Sequence, residues 1–178
     1  MNKSGKTTVA KSLCGLETTN EYFRTEEIEY YSTIFKVGNV PYSFEFHDIN
    51  GSFLEDTTRR YAITVERHYS SGKIYLFLTN AEDEDEIDFL RGYFKSFGAE
   101  YFETYHEIII LTHVDCVEDN SNALRKIRSF TKDTPIWEIN AHDPKQIEDL
   151  KIKLIELLIK AKYEHPELFE GCEAKKKK

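Results

Sequence analysis

The sequence predicts an α/β fold with a mostly parallel sheet, one antiparallel edge strand and helices on both faces. The first observation is that short, continuously apolar runs alternate with amphipathic helical segments along the chain. That pattern is typical of parallel strands that helices cover on both sides. The second is that two strand-like runs follow each other closely in the first third of the chain, which indicates one antiparallel pair at a sheet edge.

The strands are predicted from two different patterns. Residues 31–37 and 42–48 form a hairpin around Gly38–Pro41, because Phe44 and Phe46 alternate with polar residues as in a half-buried strand. Three other runs are apolar without alternation, as in strands that are buried on both faces. These buried strands are predicted at 73–79, 107–113 and 136–140.

The helices are predicted from apolar residues at helical spacing. They cover residues 5–14, 55–69 and 83–98, and a last helix begins at Asp143-Pro144 with an N-cap and a first-turn proline. The acidic start of the helix at 83–98 suits the positive end of a helix dipole, so we assign it a structural role and not a metal site. We find no internal repeat.

Composition limits the classes of function. The chain has 178 residues and a net charge of -8, which predicts one domain at residues 1–170 and argues against nucleic-acid binding. No apolar run reaches the roughly 18 residues of a membrane span. Three scattered cysteines indicate reduced thiols and a cytoplasmic protein, with association with an organelle membrane as an alternative. Residues 171–178 form a basic tail, and contact of Lys175–Lys178 with a membrane is the less favoured interpretation of it.

The chain begins with the second half of a phosphate-binding loop, G-x-x-x-x-G-K-[ST]. In that pattern the backbone N–H groups and Lys6 cradle phosphates at a helix N-terminus, and the Thr7 hydroxyl binds Mg²⁺. The first glycine of the pattern and its preceding strand would lie before Met1, so we expect the first strand of the fold to be missing. The predicted nucleotide ligands of this loop are Asn2, Lys3, Ser4, Gly5, Lys6, Thr7 and Thr8.

Three further motifs follow predicted strands, in an order that suits a nucleotide site at the carboxyl edge of a sheet. In "DING", Asp48 can hold Mg²⁺ through a water molecule and the Gly51 N–H can approach a γ-phosphate. In "THVD", residues Thr112, His113 and Asp115 leave a buried strand, and the carboxylate can accept both N1–H and N2–H of guanine. In "NAH", which comprises Asn140, Ala141 and His142, the alanine N–H can meet guanine O6.

Together, "NKSGKT", "DING", "THVD" and "NAH" resemble the motifs of the Ras-superfamily small GTPases. The stretch "YYSTIFKVGNVPYSFEFHDI" is similar to the second GTPase domain of the mitochondrial Rho (Miro) proteins. "FLRGYFKSFG" before "IIILTHVD" is similar to the immunity-associated GTPases. The resemblance implies a P-loop NTPase fold, the cofactors GTP/GDP and Mg²⁺, and a switch threonine that binds the metal. Thr25 is favoured for that role on loop position, with Thr33 as the alternative.

The sequence departs from the small-GTPase pattern at three places. Histidine stands at His113 and His142, where the family usually has lysine, and the first change is expected to weaken nucleotide affinity. Ser52 follows the "DING" glycine, where a water-positioning glutamine is usual. We therefore name no catalytic residue and expect slow intrinsic GTP hydrolysis.

Three functions fit these motifs to different degrees. The first is a guanine-nucleotide switch that meets effector or regulator proteins through residues 17–33 and 49–57. The second is a pseudo-GTPase interaction module with weak or no nucleotide binding, which the departures favour. The third, an ATP-dependent P-loop kinase or ATPase, gives no account of "THVD" and "NAHD" after two strands.

Overall fold

The structure is a computed structural model. It describes residues 4–19, 28–37, 39–48, 74–97, 106–131, 134–164 and 166. The predicted helix at 55–69 and the predicted basic tail at 171–178 lie outside these residues. Among the described residues, no helix is long and apolar enough to cross a membrane.

The described residues form helices and strands that alternate along most of the chain. In chain order they are α1 (Lys6–Leu13), β1 (Glu29–Val37), β2 (Val40–Asp48), β3 (Ile74–Asn80), α2 (Glu84–Phe97), β4 (His106–Thr112), α3 (Ser121–Thr131), β5 (Ile136–Glu138) and α4 (Pro144–Glu164). Every strand predicted from the sequence is present, with ends that differ by no more than about two residues, as is usual for element boundaries.

The strands form two ladders. β1 and β2 pair as an antiparallel hairpin, and β3, β4 and β5 form a parallel sheet in that order. Val37 pairs with Val40, so the hairpin turn is shorter than the four residues 38–41 predicted from the sequence. In the ladder of β3 and β4, Asn80 lies opposite Thr112, which brings the carboxyl ends of the two strands together.

The central strand β4 explains why helices cover both faces of the sheet. Its residues alternate between two hydrophobic clusters, with Ile108 and Ile110 in one and Ile109 and Leu111 in the other. All four side chains are fully buried. α1 and α4 contribute to the first cluster, while α2 and α3 contribute to the second. The predicted arrangement of a parallel sheet, an antiparallel pair and helices on both faces is therefore confirmed.

The hairpin belongs to the same core as the parallel sheet. Phe35 of β1 is buried in the cluster that contains Val9 of α1 and Leu154 of α4. Its ring lies 4.5 Å, centroid to centroid, from the ring of Phe44 on β2. Aromatic packing against α1 and α4 thus holds β2 beside the helix that follows the phosphate-binding loop.

The β4 core gives a first testable prediction. We expect Ile110→Ala to lower the free energy of unfolding by about 2–5 kcal/mol, because the side chain is fully buried and its removal leaves a cavity. Ile152→Ala on the exposed side of α4 is the matched control, with an expected change within about 0.5 kcal/mol. Urea denaturation of both variants measures the difference. Equal losses would contradict the assignment of β4 as the centre of the core.

Candidate functional site

The predicted site residues gather at the carboxyl edge of the strands. Asp48 ends β2, Asn80 ends β3 and Thr112 ends β4, while Asn140 follows β5 after one residue. Parallel strands end on the same edge, and open α/β sheets bind ligands there. The Asp48 carboxylate accepts a hydrogen bond from the Thr7 hydroxyl, so the hairpin strand β2 also ends at this edge.

The phosphate-binding loop leads directly into α1. Gly5 is the N-cap, with φ at 73°, a left-handed conformation that glycine adopts without steric cost. Lys6, Thr7 and Thr8 form the first turn, where backbone N–H groups have no acceptor within the helix. The Lys6 Nζ atom donates to the Ser4 hydroxyl at 2.9 Å and so folds back over the loop. This end of α1 combines the positive end of a helix dipole with a lysine, which suits an anion.

Thr112 joins the loop to the third motif. Its hydroxyl donates to the carbonyl oxygens of Ser4 at 3.0 Å and Thr79 at 3.1 Å, in a shared bond. The His113 Nδ1 atom lies 3.0 Å from the same oxygen. Thr112 is 2 % exposed, and its hydroxyl is hydrogen-bonded to other residues of the chain. The structure thus gives Thr112 the task of positioning the loop and the "THVD" segment relative to each other.

Two carboxylates that act on Lys6 of the phosphate-binding loop are buried. Asp48 is 4 % exposed and Glu86, on α2, is 5 % exposed. Burial lowers the pKa of Lys6, because desolvation disfavours its charged form. Asp48 and Glu86 partly offset that shift, since each negative charge favours the lysine cation. Among the described residues, both carboxylates therefore act electrostatically on the lysine at the first turn of α1.

Thr7 and Asp48 supply oxygen atoms of the kind that Mg²⁺ prefers. They are bonded to each other through the Thr7 hydroxyl and Asp48 Oδ2, so both can reach one cation. Within the part of the chain that the structure describes, no group of three or more His, Cys, Asp and Glu residues could hold a metal ion. Mg²⁺ is commonly held by one or two protein ligands together with phosphate oxygens and water, and these two residues fit that pattern.

On the other side of the edge, the third and fourth motifs meet. Asn140 Nδ2 donates to Asp115 Oδ2 at 3.0 Å across 25 residues of chain. His113 has a φ of 57°, in the left-handed region. Residues other than glycine rarely adopt this conformation, although Asn, Asp and His do so more often than the others. Asp115 is exposed. The acid predicted to recognise a base therefore lies beside the turn predicted to recognise the same base.

Ala141 connects that turn to α1. Its carbonyl oxygen accepts a hydrogen bond from the Ser12 hydroxyl at 3.0 Å. Within the described chain, the Ala141 N–H forms no hydrogen bond, so this donor remains available to a ligand. Two hydrogen bonds therefore connect the phosphate-binding loop and α1 with the segments predicted to recognise a base. One joins Thr112 to Ser4, and the other joins Ser12 to Ala141.

The structure also shows a turn that occurs twice, which the sequence analysis missed. The two segments are "NAEDEDEI" (80–87), which links β3 to α2, and "NAHDPKQI" (140–147), which links β5 to α4. They share the spacing N-A-x-D-x-x-[E/Q]-I. That shared spacing is the sequence signal that could have revealed the repeat.

In the turn at 80–87, hydrogen bonds connect Asn80 to the residues at the start of α2. Asn80 Oδ1 accepts from the Glu82 N–H at 2.9 Å, and Asp83 Oδ1 accepts from the Glu86 N–H at 3.1 Å. The Glu86 carboxylate then accepts from the Asn80 N–H at 3.1 Å. Asp83 and Glu86 thus cap α2 in the manner of a capping box that reaches back to the strand end.

The second turn repeats these bonds with a neutral residue in place of Glu86. Asn140 Oδ1 accepts from the His142 N–H at 2.9 Å, and Asp143 Oδ1 accepts from the Gln146 N–H at 3.4 Å. Gln146 Oε1 accepts from the Asn140 N–H at 2.8 Å. A carboxylate oxygen therefore accepts the hydrogen bond from the asparagine N–H in one turn, and an amide oxygen accepts it in the other.

The two turns differ in their free donor. The Ala81 N–H of the first turn donates to the Thr112 carbonyl oxygen at 3.0 Å, whereas the corresponding Ala141 N–H is available. Only the second turn can therefore offer its alanine N–H to a ligand. The turn at 140–147, which is predicted to recognise a base, differs in this respect from the turn at 80–87, which borders the phosphate-binding loop.

Some predicted site residues are not tested by the structure. Asn2, Lys3, Thr25 and Gly51 lie outside the described residues, as does the segment 49–57. Thr33, the alternative switch threonine, lies within β1 and pairs with Phe44. His142 is exposed in the second turn.

No protein-family model and no curated protein matches the chain. Solved structures do match, among them that of Methanosarcina barkeri Roco2 RocCORdC bound to GDP, with a TM-score of 0.59 and 19 % identity. The match covers 89 % of this chain and 46 % of that one, so the chain spans less than half the length of that structure. At this identity the match establishes the fold alone. The chain has a P-loop GTPase-like fold. The finer resemblances to Miro and to the immunity-associated GTPases stay predictions.

Proposed function

We propose that this P-loop GTPase-like chain binds a guanine nucleotide, GDP or GTP, together with Mg²⁺. The main observation behind the proposal is that two hydrogen bonds connect the two parts of the site at one edge of the sheet. Thr112 binds the Ser4 carbonyl and Ser12 binds the Ala141 carbonyl, so the anion-binding loop and the base-reading turns are held in a fixed relation. A ligand with phosphate at one end and a base at the other suits both halves.

The phosphate end is proposed to lie at the first turn of α1. There the backbone N–H groups of Lys6, Thr7 and Thr8 belong to the first turn of α1, the Lys6 ammonium group lies over the loop, and the helix dipole favours negative charge. Ser4 and Gly5 belong to the same loop, and Asn2 and Lys3, which lie outside the described residues, are proposed to bind phosphate as well. The Thr7 hydroxyl and the Asp48 carboxylate are proposed to hold Mg²⁺, which neutralises phosphate charge when it is bound.

The base end is proposed to select guanine. Guanine presents two donors, N1–H and N2–H, next to the acceptor O6, and adenine does not offer that set. Asp115 is an exposed acceptor and Ala141 carries an available N–H, which is the complementary set. The bond from Asn140 to Asp115 holds the carboxylate in place. Thr112, His113 and His142 support this side of the site.

Switching and slow hydrolysis form the finer part of the proposal. Thr25 and Gly51 are proposed to meet Mg²⁺ and the γ-phosphate, so that the segments 17–33 and 49–57 order around GTP and present a surface to an effector or regulator. Ser52 stands where a glutamine would orient water, which favours slow hydrolysis without a partner. The GDP bound to the Roco2 structure supports guanine nucleotide as the ligand class.

The first test is the affinity of the purified chain for nucleotides in the presence of Mg²⁺. We expect isothermal titration to show binding of GDP and GTP, with ADP and ATP at least about tenfold weaker, as the lost pair of base hydrogen bonds predicts. Chromatography of the denatured protein would identify any nucleotide that copurifies. A folded chain that binds none of the four would overturn the proposal and leave the pseudo-GTPase interaction module as the function.

A further inference from the structure

Hydrogen bonds hold the two peptide groups on either side of the Ala141 Cα atom, with one exception. The Asn140 carbonyl oxygen accepts from the Asp143 N–H at 3.1 Å, and the His142 N–H donates to the Asn140 side chain at 2.9 Å. The Ala141 carbonyl oxygen accepts from the Ser12 hydroxyl at 3.0 Å. Among the described residues, the Ala141 N–H has no acceptor. The polar group left over is therefore the donor proposed to meet guanine O6.

The turn at 80–87 is attached to its neighbour through the opposite group. Its Ala81 N–H donates to the Thr112 carbonyl oxygen at 3.0 Å, so the attachment uses the N–H. In the other turn the attachment comes from Ser12 and uses the carbonyl oxygen of Ala141. The two turns thus share their asparagine bonds but differ in which group of the alanine is held. Attachment through the carbonyl oxygen leaves the Ala141 N–H for a ligand.

The Ser12 hydroxyl bonds outside its own helix. A serine within a helix can donate to the carbonyl oxygen four residues earlier, which keeps its hydroxyl local. The Ser12 hydroxyl instead donates to a residue 129 positions away in sequence. The Ala141 side chain also packs against the hydrophobic cluster that contains Val9 and Leu13 of α1. α1 therefore positions this turn through a hydrogen bond and an apolar contact together.

We propose that Ser12 is a positioning residue for base recognition, whose hydroxyl holds the Ala141 peptide so that the neighbouring N–H faces guanine O6. This inference rests on the proposed function, since the base in question is that of the proposed nucleotide. Ser12 belongs to the same helix whose first turn, Lys6 to Thr8, is proposed to bind phosphate. One helix therefore places the phosphate donors and, through Ser12, the donor to the base.

The test combines a change at residue 12 with a change of one atom in the ligand. Ser12→Ala removes the hydroxyl, and alanine favours a helix more than serine does, so α1 should stay folded. Ser12→Thr keeps a hydroxyl on the same carbon atom. The ligand 6-thio-GDP keeps the N1–H and N2–H groups of guanine but has sulfur, a weaker acceptor, in place of O6. Isothermal titration with Mg²⁺ measures the affinity of each protein for GDP and for 6-thio-GDP.

We expect Ser12→Ala to weaken GDP binding about threefold to tenfold, the effect of losing one hydrogen bond that orients the Ala141 donor. Its affinity for 6-thio-GDP should change by less than about twofold, because the weak sulfur acceptor leaves little of that contact to lose. Ser12→Thr should bind GDP as tightly as the original chain.

Ser129→Ala is the matched control for Ser12→Ala. The Ser129 hydroxyl is exposed and donates to the Lys126 carbonyl oxygen within α3, a helix that contributes no residue to the proposed site. The substitution removes the same group from a helix without altering the turn that carries Ala141. We expect the affinities for GDP and 6-thio-GDP to stay unchanged.

The outcomes separate this inference from the proposed function. If the original chain binds GDP and Ser12→Ala weakens GDP and 6-thio-GDP equally, or weakens neither, the inference fails and the proposed function stands. An equal loss of GDP affinity in Ser12→Thr would also overturn the inference, because the hydroxyl would not be the cause. If the original chain does not bind GDP, both fail. A loss that is confined to GDP and restored by threonine would support both, since a purely structural role of Ser12 cannot distinguish O6 from sulfur.

Discussion

Replacement of Lys6 by methionine is expected to weaken GDP binding by about 10- to 100-fold, the effect of losing charged hydrogen bonds worth about 1.5–3 kcal/mol. Lys6 lies in the first turn of α1 and its Nζ atom already bends back to the Ser4 hydroxyl, so its charge is held over the loop. Methionine has a similar length and fills the same space without a charge. Titration of both proteins with GDP and Mg²⁺ measures the loss.

The same substitution should not destabilise the protein without nucleotide. Burial lowers the pKa of Lys6, which means that the folded chain pays a desolvation cost for the lysine cation. Methionine removes this cost, although Asp48 and Glu86 then lose a positive neighbour. We expect a thermal midpoint within a few degrees of that of the original chain, so that stability and affinity separate.

Lys11→Met is the matched control for Lys6→Met. Lys11 lies in the last turn of the same short helix, and its removal changes the net charge by the same amount. We expect GDP affinity to change by less than about twofold, because a solvent-screened charge outside the loop contributes little. Similar losses in the two variants would mean that α1 attracts nucleotide through net charge alone, and would contradict the loop assignment.

The parts of the fold that follow from side-chain pattern were predictable. β4 runs apolar without alternation because both of its faces are buried, and Ile108 to Leu111 supply both hydrophobic clusters. The alternation of Phe44 and Phe46 in β2 likewise reflects one face packed on the shared core. α3 was not among the helices predicted from the sequence, because its buried positions are few, namely Ala123, Ile127 and Thr131.

The roles that depend on three-dimensional neighbours were not predictable. Thr112 is predicted to contact the nucleotide, and the sequence could not indicate that its hydroxyl also donates to the backbone of Ser4 and Thr79, which lie far away in sequence. Glu86 looked like one of several acids that suit a helix start, and nothing local distinguishes it from its exposed neighbour Asp85. Its burial results from the packing of α2 on β3.

Asp115→Asn is expected to exchange the base preference of the site. A carboxylate offers two acceptors to guanine N1–H and N2–H, whereas an asparagine offers one acceptor and one donor. The variant should therefore lose GDP affinity by about 10- to 100-fold, the usual cost of a broken bidentate pair of about 1–3 kcal/mol. Xanthine carries N1–H next to the acceptor O2, which complements the asparagine. Xanthosine diphosphate should accordingly become the better ligand of the variant.

The exchange of preference tests the base assignment in a way that a simple loss cannot. Asn140 Nδ2 donates to Asp115 Oδ2, so any substitution of Asp115 also disturbs the turn that carries Ala141. Loss of GDP binding can follow from that disturbance alone, so a variant that binds neither GDP nor xanthosine diphosphate would count against direct reading of the base by residue 115. Glu118→Gln, at an exposed acid of the same loop, controls for the lost charge and should leave both affinities unchanged. Gain of xanthosine diphosphate binding requires the side chain at 115 to face the base, because a residue that only supports the turn has no means of telling N2–H from O2.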